Sequence, residues 1–174
     1  MDNQRDNLLY IAEYYGMDNQ LEYLMSELRE LIEAVAIYEL NKTKENQEHV
    51  GEEITDNKVL LSQIFVKYDL KMGQEKKYET IENIPKFLDK YCRTIYKLYK
   101  EIIEYWSDEY YYYETVEEQH KDRISKYWTE AMDMLLNLEV FYDIPSEFMD
   151  KMFDFKVNRQ IERIRKEEED EKDN

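Results

Sequence analysis

The amino-acid sequence predicts an all-α protein, a helical bundle made of two tandem modules in one chain. The first observation is the scarcity of helix-breaking residues, with 3 Gly and 2 Pro among 174 residues. The second is the abundance of Glu, Lys, Leu and Tyr, which is typical of helices joined by short loops. The third is an internal repeat, in which a pair of helices with two acidic pairs occurs twice.

The charge of the chain argues against two classes of partner. It has 41 acidic and 24 basic residues, and its formal net charge is −17. A polyanion of this size repels nucleic-acid backbones and anionic membrane surfaces, so we expect neither as a partner.

A single cysteine, Cys92, excludes an internal disulfide and suits a reducing compartment. Because no signal peptide and no long apolar run are present, we expect a cytoplasmic protein.

The first half of the chain is predicted to form three helices. A short helix over residues 3–15 ends at Gly16. A long helix with apolar residues at helical spacing follows, as far as about residue 41. The polar segment 41–50 is expected to be a loop, and a second long helix runs from about residue 48 to 68.

The second half is predicted to form three more helices. Pro85 suits the first turn of a long helix that ends in four tyrosines at 110–113. The polar segment 114–123 is expected to be a loop, and the next helix stops before Pro145. A last helix follows. The predicted division of the chain is a first module over 1–74, a connector over 75–84, a second, divergent module over 85–167 and a fraying charged tail over 168–174.

Two acidic pairs in the first module are candidate metal ligands. Glu27 and Glu30 lie three residues apart in one helix, and Glu53 and Asp56 lie three residues apart in the next. Each pair therefore projects from one side of its helix. If the two helices pack antiparallel by their apolar faces, all four carboxylates point into one seam. Four such groups repel each other unless a hard cation lies among them.

The second module repeats this acidic pattern. Glu101 and Glu104 correspond to the first acidic pair, and Glu130 and Asp133 correspond to the second. The order of the pairs, the apolar flanks and a loop only three residues longer favour duplication over chance. We therefore predict a second acid quartet in the second module.

The ordered motif ExxE, loop, ExxD resembles the all-α nucleoside triphosphate pyrophosphohydrolases of the MazG and dimeric dUTPase superfamily. The first module has it as ELRE at Glu27 and EITD at Glu53, and the second as EIIE at Glu101 and EAMD at Glu130. The segments YYGMDNQLEYLMSELRELIEA, EEITDNKVLLSQI and FDFKVNRQIERI are similar to MazG-like proteins of the kind that bacteriophages carry. The resemblance covers most of the chain, with residues 71–83 outside it.

The resemblance implies an enzyme that uses Mg²⁺, or alternatively Mn²⁺, to cleave a nucleoside triphosphate into the monophosphate and pyrophosphate. The four acids Glu27, Glu30, Glu53 and Asp56 would be the metal ligands, and Glu30 or Glu53 would orient and deprotonate the attacking water. Two MazG-like modules in one chain would resemble a fused dimer, and a homodimer of the whole chain is compatible with it. A phage-encoded protein of this kind would act in the host cytoplasm.

Several residues depart from the family pattern. Ser26 and Lys100 stand where the family usually has a further Glu before ExxE. Asn57 stands where an apolar residue usually follows the last acid. In the second module Tyr105 and Trp106 replace small residues and could fill a pocket. We therefore expect the first quartet to be the functional one and the second to be altered or idle.

A basic patch near the end of the chain has two interpretations. It consists of Lys156, Asn158, Arg159 and Arg163. The resemblance implies that these residues, together with Lys58, bind the substrate's triphosphate. Alternatively, the patch lies in the last turn of a helix, where cations offset the helix dipole and pair with nearby Glu.

Other polar and aromatic residues receive plainer interpretations. His49 and His120 fall in the polar segments and are expected to face solvent. The tyrosines at 110–113, with Trp106 and Trp128, could stack on a base, although packing in a core or interface is the commoner role. Cys92 has no histidine at a suggestive spacing, so a thiol nucleophile is not expected.

Two alternatives to an enzyme remain open from the sequence. The first is a non-catalytic protein on the same scaffold that sequesters a nucleotide or a signalling molecule, for instance in phage anti-defence. The second is an acidic protein that mimics nucleic acid and occupies a DNA-binding partner. The two differ in which acids matter, because only the first depends on the acids of the predicted seam.

Overall fold

The computed structural model describes residues 2–71, 79–108 and 114–172. For residues 2, 108 and 114–116 it describes the backbone alone. In these ranges it contains six α-helices and no strand, so the predicted all-α class is confirmed. None of the described helices has both the length and the apolar composition needed to cross a bilayer. The helices are α1 (Asp2–Tyr15), α2 (Met17–Leu40), α3 (Lys44–Lys67), α4 (Ile84–Asp108), α5 (Glu114–Phe141) and α6 (Ser146–Lys172).

The chain folds into two compact units. The first contains residues 1–67 and 144–174, and the second contains residues 68–143. The last helix, α6, thus packs with α1 and α3 in the first unit, whereas the sequence grouped residues up to 167 with the second module. Its apolar face explains this placement, because it completes a core shared by α1, α3 and α6. That core consists of Leu8, Ile11, Val59, Val66, Val157, Ile161 and Ile164.

In the first unit, α2 and α3 pack against each other across a connection of three residues. Leucines at helical spacing form the buried face of α2, and α3 contributes the completely buried Ile54 and Leu61. Ile32 is only half-buried, whereas its neighbour Leu31 is completely buried. The acids sought as ligands flank this apolar contact.

Two glycines allow close or unusual backbone geometry. Gly16 joins α1 to α2 with a φ of 81°, a conformation that side chains disfavour. It ends α1 as the sequence predicts. Gly51 lies where α6 approaches α3, because a Cβ there would meet the Phe148 ring at 2.8 Å and the Ile144 side chain at 3.2 Å.

Both polar segments predicted as loops are largely helical, so those predictions are wrong. α3 begins at Lys44, where the Thr43 hydroxyl accepts a hydrogen bond from the Asn46 N–H (3.2 Å), and α5 begins at Glu114. The segments contain Glu, Lys, Gln and His, which lower the apolar signal without breaking a helix. Polarity alone was therefore a poor indicator of a loop.

The charged tail is also helical, as far as Lys172. The Tyr10 hydroxyl donates a hydrogen bond to Glu168 (2.7 Å), and the Tyr14 hydroxyl donates one to Glu167 (3.1 Å). These contacts with α1 hold a segment that was expected to fray from residue 168. Residues 173 and 174 lie outside the described part of the chain.

The second unit is built around α4 packed on α5. Its core includes the fully buried Tyr91, Leu98 and Leu135. The tyrosines at 110–113 lie outside the described residues. Just after α3 and α5, Asp69 and Asp143 have positive φ angles of 47° and 52°. The two residues lie in similar segments, Tyr68-Asp69-Leu70 and Tyr142-Asp143-Ile144, which the sequence repeat aligns.

Candidate metal centre

Three of the four predicted ligands of the first module lie together. One carboxylate oxygen from each of Glu27, Glu30 and Glu53 lies within 4.8 Å of the others. We call these three residues the acid group. α2 supplies two of them and α3 the third, and they differ in exposure, since Glu30 is exposed, Glu27 half-buried and Glu53 buried.

The crowding of these carboxylates changes their acidity. Burial, followed by repulsion from Asp56 and Glu30, raises the pKa of Glu53 to about 7. Burial, and then repulsion from Asp56, Glu30 and Glu53, likewise raises the pKa of Glu27 to about 7. A divalent cation would relieve this repulsion, because it favours the ionised form of every carboxylate that it contacts.

One carboxylate oxygen of Glu53 makes no hydrogen bond to the described residues and is available to a cation. The Glu53 side chain is 9% exposed, and its Oε2 has no hydrogen-bond partner among the described residues. Its Oε1 lies 3.5 Å from His49 Nδ1. Buried carboxylate oxygens normally have a partner, and hard divalent cations take oxygen ligands. The donor set of Glu27, Glu30 and Glu53 therefore fits Mg²⁺ or Mn²⁺.

The fourth predicted ligand, Asp56, lies beside the acid group but is engaged elsewhere. The Lys156 ammonium on α6 donates a hydrogen bond to Asp56 Oδ2 at 2.5 Å, and both side chains are largely buried. Lys156 was expected to bind substrate, and here it pairs with an acid. This cation lowers the pKa of both Glu27 and Glu53, against the larger effects that raise it.

A cavity of about 170 Å³ opens next to the acid group. Glu27 and Asp56 form part of its wall, and Arg159 and Arg163 of α6 form another part. The two arginines belong to the basic patch that the sequence identified. The complete lining is Tyr15, Gln20, Tyr23, Glu27, Asp56, Leu60, Arg159, Gln160 and Arg163.

The other residues that the resemblance implied for substrate binding are not part of this lining. Lys156 and Asn158 of the basic patch do not line the cavity, and neither does Lys58. Asn158 is exposed and Lys58 is half-buried. The patch lies in the middle of α6 and not in its last turn, because the helix continues to Lys172. The expected position of the patch in the last turn of a helix is therefore wrong.

Sequence reasoning missed the aromatic and amide residues of the cavity. Tyr15, Gln20 and Tyr23 surround the start of α2, and Gln160 comes from α6. The one sequence signal for the tyrosines is the high aromatic content of the segment YYGMDNQLEY. Their convergence depends on the packing of α6, which helical periodicity does not reveal.

Two polar neighbours of the acids also gain a structural role. The Ser26 hydroxyl, at a position where the family usually has Glu, donates a hydrogen bond to Glu30 Oε1 (3.3 Å). Asn57 is completely buried, and its side-chain amide donates hydrogen bonds to the backbone oxygens of Glu27 (3.0 Å) and Glu53 (2.9 Å). Both residues appeared in the sequence only as departures from a family pattern.

The second quartet is arranged differently. Glu101 is buried, and its Oε1 accepts a hydrogen bond from Arg123 Nε (2.6 Å) and lies 2.7 Å from His120 Nδ1. Glu104 is exposed and pairs with Lys100 at 3.3 Å. The Arg123 guanidinium thus neutralises the charge of Glu101, the most buried acid of the second quartet.

The other two acids of this quartet, Glu130 and Asp133, are half-buried. In the described part of the chain, the four acids of the second quartet do not form a cluster like the acid group.

The two histidines differ in exposure. His120 is 4% exposed, so its predicted exposure to solvent is wrong. His49 is exposed, but it lies within α3 and not in a loop.

The arrangement in the first unit can hold a cation and an anion side by side. Carboxylates of α2 and α3 would bind the cation, and the guanidinium groups of α6 would bind the anion.

Comparisons of the chain with protein-family models, with curated proteins and with solved structures find no match.

Proposed function

We propose that the protein is a Mg²⁺-dependent nucleoside triphosphate pyrophosphohydrolase, which cleaves an NTP or dNTP into the monophosphate and pyrophosphate. The observation that supports it best is that Glu27 belongs to the acid group and also lines the arginine-containing cavity. A nucleotide with its bound cation has the same two features, a divalent ion and a polyanionic tail. The resemblance to MazG-like proteins, which includes the same acids, suggests the same activity.

The cavity residues suit the parts of a nucleotide. Arg159 and Arg163 offer planar donors that match phosphate oxygens. Tyr15 and Tyr23 offer aromatic faces or edges on which a base could stack. In a chain with a net charge of −17, such local cations are needed to attract a substrate that is itself anionic.

The acids would hold the cation and activate water. Glu27, Glu30 and Glu53 would bind Mg²⁺, which would neutralise charge on the phosphate oxygens and on the leaving pyrophosphate. Glu53, whose Oε2 has no hydrogen-bond partner among the described residues, suits the role of general base, and Glu30 is the other candidate. The attacking water would form the new bond to the α-phosphorus while the bond from that phosphorus to the bridging oxygen breaks. Its proton would pass to the carboxylate.

The tandem MazG-like arrangement is part of this proposal. The left-handed backbone at Asp69 and Asp143, at aligned positions, supports a common origin of the two helix pairs. In the second pair the ion pair of Glu101 with Arg123 replaces the metal-binding arrangement. We therefore propose a functional first module and a second module with a structural role.

A non-catalytic nucleotide-binding protein is the second candidate. It is favoured by the ion pair between Asp56 and Lys156, which occupies an acid that the resemblance implies as a metal ligand. In that case the cavity would bind a nucleotide without cleaving it. The two candidates share a ligand and differ in turnover.

Turnover of a nucleotide panel separates these candidates. The protein is incubated with Mg²⁺ and each common NTP and dNTP, and monophosphate and pyrophosphate are quantified. We expect both products from at least one nucleotide and a loss of at least 100-fold in Glu53→Gln. Glu52→Gln, one residue away and outside the acid group, is the matched control. Nucleotide binding without pyrophosphate release would favour the binding protein, and the absence of binding would contradict both candidates.

A further inference from the structure

We infer that Asn57 is a positioning residue, which fixes the two ligand-bearing helices relative to each other so that the acid group can bind a divalent cation. The inference rests on the proposed function, because it concerns the same acids. It adds a residue that contacts neither the cation nor the substrate. It also gives a role to an amide in a place where an apolar side chain would fill the helix interface.

The geometry joins Asn57 to both helices. Its Nδ2 donates to the backbone oxygen of Glu53, one turn earlier in α3, at 2.9 Å. The same nitrogen donates to the backbone oxygen of Glu27 in α2, at 3.0 Å. The two hydrogens of one amide group thus connect the backbones of the two acids whose pKa values are raised most clearly.

Burial makes these hydrogen bonds specific for one arrangement of the helices. Asn57 has no exposed surface, and an amide buried without partners destabilises the fold. Apolar residues tolerate small sliding of one helix along another, whereas a buried amide is satisfied only where the acceptor lies in reach. The bond to Glu27 therefore selects one register of α2 against α3.

That register matters because the acid group combines ligands from both helices. Its three oxygens lie within 4.8 Å of one another, two from α2 and one from α3. Mg²⁺ and ions of similar size demand nearly ideal ligand geometry. A shift of either helix would separate Glu53 from Glu27 and Glu30, and supporting residues of this kind typically contribute 10–100-fold to metal affinity.

The test is the affinity of the nucleotide-free, full-length protein for Mn²⁺, which isothermal titration calorimetry and electron paramagnetic resonance measure. Asn57→Leu removes both hydrogen bonds and fills the site with a side chain of similar size. Thr55→Val is the matched control, because Thr55 is equally buried on α3 but donates to the Gly51 backbone of its own helix (2.8 Å). We expect Asn57→Leu to weaken Mn²⁺ binding at least 10-fold, and Thr55→Val to leave it within about twofold.

A third variant separates the two hydrogen bonds. The hydroxyl in Asn57→Ser can still bond back to Glu53 within α3 but is too short to reach Glu27. We expect it to weaken Mn²⁺ binding as much as Asn57→Leu does, and it decides the question if Asn57→Leu does not fold. Circular dichroism and thermal unfolding of each metal-free variant distinguish lost affinity from lost structure.

The outcomes distinguish this inference from the proposed function. If the wild-type protein binds Mn²⁺ and the folded Asn57 variants bind it as tightly as Thr55→Val, the positioning role is refuted and the proposed function is untouched. If the wild-type protein does not bind Mn²⁺, the proposed function fails and this inference fails with it.

Discussion

Lys156 and Asp56 form an ion pair with 2.5 Å between Nζ and Oδ2, at the edge of the acid group. Their side chains are 11% and 17% exposed, so solvent screens this pair less than a surface pair. The ammonium is contributed by α6, the helix that also supplies the arginines of the cavity. α6 therefore sets the charge balance of a site whose acids come from α2 and α3.

Removing this ammonium should make the acids harder to ionise. In Lys156→Met we expect the pKa of both Glu27 and Glu53 to rise further above about 7, because Lys156 lowers each of them. Carbon-13 NMR of labelled glutamate carboxyls measures the change. Lys151→Met, on the exposed part of the same helix, is the control. Unchanged pKa values in Lys156→Met would show that the ion pair does not influence the acid group.

The stability of the metal-free protein should fall as the pH rises from about 4.5 to about 7. The pKa of Glu53 rises from its usual 4.5 to about 7 on folding, so the folded state holds the proton more tightly. Its stabilising effect is complete below pH 4.5 and is lost as the pH passes 7, by on the order of 1–3 kcal/mol. Urea unfolding across this range measures the loss.

Glu53→Gln should reduce this pH dependence, and the remainder should come from Glu27, whose pKa is also raised to about 7. Glu52→Gln should keep most of it, because repulsion from Glu52 is the smallest of the effects that act on the pKa of Glu53. Saturating Mg²⁺ should stabilise the wild-type protein more at pH 8 than at pH 5, because the cation binds ionised carboxylates. A stability that rises between pH 5 and pH 7 without metal would contradict the raised pKa of Glu53.

Gly51→Ala should destabilise the first unit. The new methyl group would lie 2.8 Å from the Phe148 ring and 3.2 Å from the Ile144 side chain, so the Phe148 ring has to shift. We expect a loss of about 1–3 kcal/mol in the free energy of unfolding, which is typical of overpacking. Ser62→Ala, half-buried on the same helix, is the control and should change stability by less than about 0.5 kcal/mol. Equal stability of the two variants would refute the tight contact.

Arg123→Gln should affect stability without affecting metal binding. The change removes the guanidinium from the buried carboxylate of Glu101, and we expect a cost of about 1–3 kcal/mol. Mn²⁺ stoichiometry and affinity should equal those of the wild-type protein, since the proposed site lies in the first unit. Altered Mn²⁺ binding in this variant would contradict the structural role of the second module.

The sequence revealed the features that depend on local periodicity. Acids three residues apart share one side of a helix, so the convergence of Glu27, Glu30 and Glu53 could be predicted from two neighbouring helices. The helical starts at Lys44 and Glu114 could not, because polar segments without Gly or Pro give no clear signal.

Features that join distant parts of the chain were beyond the sequence. The pairing of Asp56 with Lys156 spans 100 residues and depends on how α6 packs. The pairing of Glu101 with Arg123 required knowledge that α5 starts early enough to place Arg123 on a helix. Asn57 was visible only as an unexpected polar residue, because the interhelical bond to Glu27 has no pattern in one sequence.

Anomalous diffraction from crystals soaked in Mn²⁺ tests the central claim most directly. We expect a peak within coordination distance, about 2.0–2.3 Å, of carboxylate oxygens from Glu27, Glu30 and Glu53. The peak should disappear in Glu53→Gln and persist in Glu52→Gln. Mn²⁺ bound only at other positions, or no peak at all at saturating Mn²⁺, would contradict the account.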